Sequence, residues 1–337
     1  AFGASIGFLA LTQKSRLQKA TFTSSADELT NKINQIESSL IYKDNSATKK
    51  YLGDARELLK TLIPQNRSQK QIAVELEAKI NKSAQGLQKI VALGARIVAD
   101  LSEAGVEANK IVASEKIIYT VGKKSDSITS VDISAGSISK FQAPDNSGGI
   151  KFASRSEDNE VFFLGGLGQL YYINDGSATK LQLDMNTAEI NGAADVAFFA
   201  ERLYVLQPEK TQILVHRKKD EAFGPGQLWN KENIPDIKTA KSLSIDGNVY
   251  LLGNDGKILK IRMGMSQSFT NDAIDPALEN PVKIVTAENS DLFVLENGPV
   301  KRIVQISKTG ALVRQIISNE LKNPIDMSLS GAGDKAY

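Results

Sequence analysis

The sequence predicts a multidomain chain, α followed by all-β: a helical hairpin or coiled-coil stalk, then a ring of four-stranded sheets. Three observations carry this. Apolar residues follow a helical period up to about residue 101, and from about residue 106 they alternate with period 2. Within the second region an aromatic residue recurs inside a short apolar strand every 41 to 46 residues. The charge divides in the same place, residues 1–101 carrying +6 and the remainder −4, within a net charge of +2 over 337 residues.

The first eleven residues, AFGASIGFLAL, are uncharged and lead to Lys14, Arg16 and Lys19. A spanning helix needs about 20 apolar residues, so this stretch reads as the possible end of a transmembrane helix at a fragment boundary. Residues 12–104 then form the stalk. Leu29, Ile33, Ile36 and Leu40 have the seam spacing of a heptad, and Ser25-Ala26-Asp27-Glu28 predicts a helix restart through a capping box. Lys43-Asp44-Asn45-Ser46 breaks the pattern. A second face runs through Tyr51, Leu52, Ala55, Leu58, Leu59 and Leu62 to Pro64-Gln65-Asn66. A third helix is expected through Ile72, Leu76, Ile80, Leu87, Ile90, Leu93, Ile97 and Leu101, with Gly105 as its exit. The short proline-containing loop predicts an antiparallel hairpin.

Residues 105–337 repeat one unit. RLYVLQPEKTQILVH at 202–216, NVYLLGNDGKILKI at 248–261 and DLFVLENGPVKRIVQI at 291–306 are the same hairpin, and the recurring aromatics are Tyr119, Phe163, Tyr204, Tyr250, Phe293 and Tyr337. In the fourth unit the strands are expected at 241–247, 248–254, 257–263 and 266–270. Asp246-Gly247 and Asp255-Gly256 supply the positive φ angles that tight hairpins need. One four-stranded sheet cannot bury both faces, but a closed ring of them can. The period and strand count are those of a β-propeller, six-bladed, with the sixth blade cut off in its second strand at Tyr337. The pattern resembles six-bladed bacterial propellers of the TolB-like and NHL-like kind, without the WD dipeptide or a kelch double glycine. The whole layout resembles membrane-tethered bacterial sensors. That resemblance implies a membrane-anchored, extracytoplasmic protein, and in some such proteins a signalling domain on the far side of the membrane; Lys14, Arg16 and Lys19 by themselves favour the alternative, a cytoplasmic flank.

Little catalytic equipment is legible. Cysteine is absent and His216 is the single histidine, which excludes disulfides, thiolate chemistry and multi-histidine metal sites. Gly165-Gly166-Leu167-Gly168 lies between strands rather than opening a helix, so it reads as a turn and not a phosphate loop. The carboxylates Asp184, Glu189, Asp195, Asp272 and Asp275 lack calcium-ligand spacing. Trp229 reads as a blade-packing residue or an exposed anchor. The expectation is a non-catalytic binding, sensing or scaffold module with no cofactor, no metal and no nucleic-acid partner. It would meet a protein, peptide or glycan on one propeller face and the membrane through its N-terminal segment. The candidate partner-binding residues are Lys123, Asp126, Asp145, Asn146, Gln207, Glu209, Lys210, Asn254, Asp255 and Asn297, all in loops, where rigid scaffolds concentrate binding. The alternatives are a propeller hydrolase or lyase with a polar site in the central channel, and a structural coiled-coil oligomeriser.

Overall fold

The computed structural model describes residues 2–42, 44–174 and 176–337, with the side chains of residues 2–18 and Asn45 outside the description. The chain divides into two compact units, Ala1–Ile90 and Val91–Tyr337.

The first unit is three helices, α1 (Phe2–Ile41), α2 (Asn45–Thr61) and α3 (Arg67–Gln88). Phe22, Ala26, Leu29, Ile33 and Ile36 of α1 pack on Leu52 and Ala55 of α2 and on Leu76, Ile80 and Ala84 of α3. Asp44 caps α2 by accepting from the Ala47 amide, and Asn66 caps α3 by accepting from Gln69. The expected restart at residues 25–28 does not occur. The buried stripe Phe22, Ala26, Leu29 continues unbroken through it, and the Thr30 hydroxyl turns back to the Ala26 carbonyl at 2.8 Å inside the helix. Continuous packing outweighs a local capping pattern.

The third helix also ends earlier than expected. Lys89 takes a left-handed φ of 52° and the chain leaves into β1 (Ile90–Ala92). Leu93 then donates to the Ile317 carbonyl at 3.0 Å and Ala95 to the Ser318 hydroxyl at 3.3 Å. Extended pairing therefore claims the apolar residues that helical spacing had assigned to α3, and the boundary falls at residue 90 rather than 104. The expected membrane segment at 1–11 falls on side chains outside the description. No described helix is long and apolar enough to cross a membrane.

The second unit is a β-propeller. The first sheet is β2 (Ala108–Ala113), β3 (Ile117–Gly122), β4 (Ser127–Asp132) and β5 (Ile138–Gln142); the second is β6 (Ile150–Arg155), β7 (Val161–Gly165), β8 (Leu170–Asn174) and β9 (Ser177–Leu183). A one-turn helix α4 (Thr187–Asn191) leads to β10 (Asp195–Phe199), β11 (Arg202–Gln207) and β12 (Gln212–Lys219), followed by β13 (Ala222–Phe223) and β14 (Gln227–Leu228). The fourth sheet is β15 (Ala240–Ile245), β16 (Val249–Gly253), β17 (Ile258–Arg262) and β18 (Met265–Gln267); the fifth is β19 (Pro281–Val285), β20 (Leu292–Asn297), β21 (Lys301–Ile306) and β22 (Leu312–Ile317). Each sheet runs antiparallel from inner to outer strand. In the third, β14 is the outer strand, while β13 reaches across to pair in parallel with β9 of the second sheet. The outer strand of the fourth sheet lies at Met265–Gln267, ahead of the expected 266–270.

Register fixes the repeat. Lys110, Phe152, Asp195, Ser242 and Lys283 of the inner strands stand opposite Val121, Leu164, Leu206, Leu252 and Leu295. Two residues before each of these partners come Tyr119, Phe162, Tyr204, Tyr250 and Phe293. The aromatic of the second blade is therefore Phe162, not the expected Phe163. The two point to opposite faces, as neighbours in a strand must. Phe162 stacks on Phe198 of the third sheet at 4.0 Å between centroids, whereas Phe163 packs with Tyr119 and Val121 of the first. Adjacent apolar aromatics at 162 and 163 left the choice open to sequence alone.

The ring closes through a sixth position. Residues 326–330 form its inner segment, and Tyr337 pairs with Ser328 through reciprocal backbone bonds of 2.8 and 3.0 Å, the place the other aromatics hold. Tyr337 packs with Ala113, Ile118 and Val131 of the first sheet. Inner-strand side chains tie the second sheet to the third, the third to the fourth, the fourth to the fifth, and the sixth segment to the first. The Leu243 amide donates to Asp195 at 3.0 Å, Ile284 to Ser242 at 3.2 Å and Ile111 to Asp326 at 3.0 Å. One pleat further along, Phe198 donates to Ser154, Thr286 to Ser244 and Ala113 to Ser328. The sixth segment thus binds the first sheet by the same rule that joins the others.

Candidate functional site

Two places on the propeller gather polar chemistry: the central channel and the face where chain connections enter the inner strands. The channel is a cavity of about 100 Å³ lined by all six inner segments. At its mouth Asp195 accepts from Lys283 Nζ at 2.7 and 2.9 Å, from the Ser242 hydroxyl at 2.8 Å and from the Leu243 amide. Burial opposes the charge on Lys283, but Asp195 and Asp326 outweigh it and hold the ammonium above the usual lysine range. A lysine so held has no free lone pair for base or nucleophile chemistry. These groups fasten three blades together. Arg155, also on the channel wall, is pushed down by burial.

The entry face is built from the hairpins between second and third strands and the connections that precede each inner strand. They are laced together: Ile150 donates to Ser125 at 2.9 Å, Asn254 to Thr239 at 2.9 Å and Asn297 to Asn280 at 3.0 Å. Gly149, at a φ of +79°, lies so close to Lys124 that a Cβ there would stand 2.7 Å from its Cα.

The ten predicted residues divide on this face. Lys123, Asn146, Glu209, Lys210, Asn254 and Asp255 are exposed. Glu209 and Lys210 sit on a 3₁₀ turn, Pro208–Lys210. Asn146 accepts the Gly148 amide at 3.0 Å, and Asp255 accepts the Lys257 amide at 3.0 Å. Asn297 bonds Asn323 at 2.9 Å. Of the other three, Asp145 is exposed but bonded, Asp126 is half-buried and Gln207 turns inward. Asp126 accepts from the Ser147 hydroxyl and the Gly149 amide. Asp145 accepts from Lys180 and from the Tyr171 hydroxyl at 2.5 Å; Lys180, then Tyr171, hold its carboxyl below the usual range. Gln207 is fully buried, donating to the Glu189 carbonyl at 2.8 Å and accepting from Gln212 at 2.7 Å. These three hold loops in place, and Gln207 is out of a partner's reach.

Sequence reasoning missed a second buried network beneath this face. Arg302 bonds Glu296 at 2.7 Å and Gln315 at 2.5 Å, and also the Pro276 carbonyl at 2.7 Å. Glu296 in turn accepts the Glu279 amide at 2.6 Å. Glu296 ends an apolar run and Arg302 follows Lys301, both beside the turn at 298–300, and so they look like solvent-facing positions. His216 is fully buried, with Nδ1 2.9 Å from the Gly224 carbonyl. It stands opposite Leu203, where Ile173, Ile261 and Ile306 stand opposite Val161, Val249 and Leu292. Trp229 meets Tyr204 edge to face at 5.6 Å, which favours packing over an exposed anchor. Among the described residues no three His, Asp or Glu side chains converge as a metal site would require.

No family model and no curated protein matches the chain. Among solved structures, it is similar to a catalytically inactive virginiamycin B lyase from Staphylococcus aureus with quinupristin, at 17% identity over 68% of this chain and 76% of that one, TM-score 0.48. It is similar to a chain of a nidogen/laminin complex at 9% identity, over 66% and 84%, TM-score 0.48. Regucalcin from Agrobacterium tumefaciens gives 9% identity over 72% and 83%, TM-score 0.47. The fold rests on the strand order and register described above rather than on these likenesses.

Proposed function

We propose that the chain is a binding or scaffold module that captures a protein, peptide or glycan on the entry face. The observation that supports this reading is how the polar groups are used. The charged residues at the channel mouth are committed to one another, whereas Lys123, Glu209, Lys210, Asn254 and Asp255 stand exposed on loops braced from below. A rigid frame with varied exposed loops suits recognition. The test is capture of partners by the full chain and by a variant with Glu209, Lys210, Asn254 and Asp255 changed to alanine. Loss of capture with an unchanged melting temperature supports the reading; equal capture removes this face.

The rival is hydrolysis or lyase chemistry in the channel. Turnover by the purified chain that disappears in Arg155→Ala would favour it. We further propose that residues 1–11 belong to a membrane anchor that holds the propeller outside the cytoplasm. The uncharged run at 1–11 supports the anchor; the outside placement rests on the resemblance to tethered bacterial propellers, because Lys14, Arg16 and Lys19 by themselves favour a cytoplasmic flank. Release of the cellular protein by salt without detergent would count against it.

A further inference from the structure

The interfaces between successive sheets follow one rule, and one of them is unfinished. Each third strand places an apolar residue toward the following sheet, then one toward the preceding sheet (Thr129 in the first sheet excepted), then a variable residue, then a second toward the preceding sheet (His216 in the third excepted). The series reads Ile128-Thr129-Ser130-Val131, Leu170-Tyr171-Tyr172-Ile173, Ile213-Leu214-Val215-His216, Ile258-Leu259-Lys260-Ile261 and Ile303-Val304-Gln305-Ile306. The leading residues Ile128, Leu170, Ile213 and Ile258 are at most 2% exposed, covered by the sheet that follows. Ile303 is not: it is partly exposed, and so is Phe293, although Tyr119, Phe162, Tyr204 and Tyr250 are at most 6% exposed.

Both residues open on an apolar cleft of about 590 Å³ between the fifth and first sheets. Phe293, Leu295, Ile303 and Ile316 form one wall; Ile118 and Val131 form the other. The sixth position lies inside it. Its second segment, residues 335–337, bonds inward through Lys335 and Tyr337, so the Ala336 amide and carbonyl point to the opposite edge. At the outer side Val98, Ala99 and Leu101 pack on the first-sheet wall. Between that stretch and Ala336 is the place of a third strand.

We propose that this cleft is a strand-acceptor site. It takes one further antiparallel β-strand of the repeat's own third-strand kind, apolar at its first, second and fourth positions, bonded to the edge at Ala336. The occupant follows from continuity with the four completed interfaces, each of which is closed by such a strand. Main-chain bonds would hold it, and the two walls would select its apolar side chains.

The test extends the full chain after Tyr337 with an Asn-Asp-Gly turn and the sequence of Lys257–Arg262. A control carries aspartate at the three apolar positions of that strand. The proposal expects the apolar strand alone to raise the melting temperature by about 4 °C or more and to lower the binding of an apolar-surface dye. It also expects both effects to vanish when Phe293→Asp is added. Equal behaviour of the two extensions overturns it. So does a chain that is dimeric by sedimentation and whose dimer persists with the apolar extension, because a second copy would then be covering the cleft. Neither readout involves the entry face, so failure here leaves the binding reading standing.

Discussion

The amide of Ala113 donates to the hydroxyl of Ser328 at 2.9 Å, joining residues 215 apart in sequence. The same bond joins Phe198 to Ser154 and Thr286 to Ser244. A serine hydroxyl taken out of water to satisfy a neighbouring strand's amide contributes about 0.5–1.5 kcal/mol net. Ser328→Ala is expected to destabilise the second unit by about as much as Ser244→Ala, measured by urea unfolding. A Ser328→Ala loss near zero beside a clear Ser244→Ala loss would mean that the ring is open in solution.

The Asp195–Lys283 pair should behave as a buried ion pair. Removing one partner by Lys283→Met strands a carboxylate and is expected to cost about 3–5 kcal/mol, while replacing both partners by apolar residues should cost less than either single change. A double-mutant cycle from denaturant unfolding measures this. Additive losses would show that the two residues act independently.

The register correction at the second blade is testable by coupling. Phe162→Ala and Phe163→Ala should each cost about 3–5 kcal/mol, since both side chains are buried. Only Phe162 should couple to Phe198, by about 0.5–1.5 kcal/mol, because only it stacks there. Coupling of Phe163 instead would reverse the assignment.

Tyr250 should make the fold alkali-sensitive. Burial, then the charge of Asp246, pushes its hydroxyl up to about 12 from the ordinary tyrosine value of 10.0. A raised folded value means full stability below the unfolded value and loss as pH rises through the folded one. Stability should therefore fall between about pH 10 and about pH 12. Lys308 and Lys260 also face the ring, at 5.2 and 5.6 Å from its centroid. Tyr250→Phe should keep the fold at neutral pH and flatten this part of the profile. An unchanged alkaline slope in the variant would assign the effect to the lysines.

Much of the propeller was legible because alternation, turn glycines and the aromatic period all point to one unit. Phe162 and Phe163 show where that reading runs out: periodicity locates a strand but cannot choose between adjacent aromatics, since register depends on a bulge at residues 150–152. Ser25–Glu28 shows a local signal overridden by packing. The loops were legible as loops, but not which of their polar groups turn inward. Gln207 looks as available as Glu209 in sequence, and only its contacts with Glu189 and Gln212 remove it from the surface. Glu296 and Arg302 lie in separate strands at the ends next to a turn, where charged residues normally meet solvent, so nothing in the sequence marked them as buried partners.

The parallel pairing of β13 with β9 has a dynamic consequence. Ala222 and Phe223 stitch the second and third blades into one hydrogen-bonded sheet of nine strands. The other described sheets are joined by packed side chains and isolated hydrogen bonds, such as those of Asp195 and of the Ile150 amide, rather than by strand pairing. Opening the ring between those two blades must rip a ladder as well as separate two apolar faces, so thermal breathing is channelled to the remaining seams. The propeller has a stiff arc and a softer one, and its amide hydrogens should exchange with solvent accordingly, with blades two and three opening as a single body.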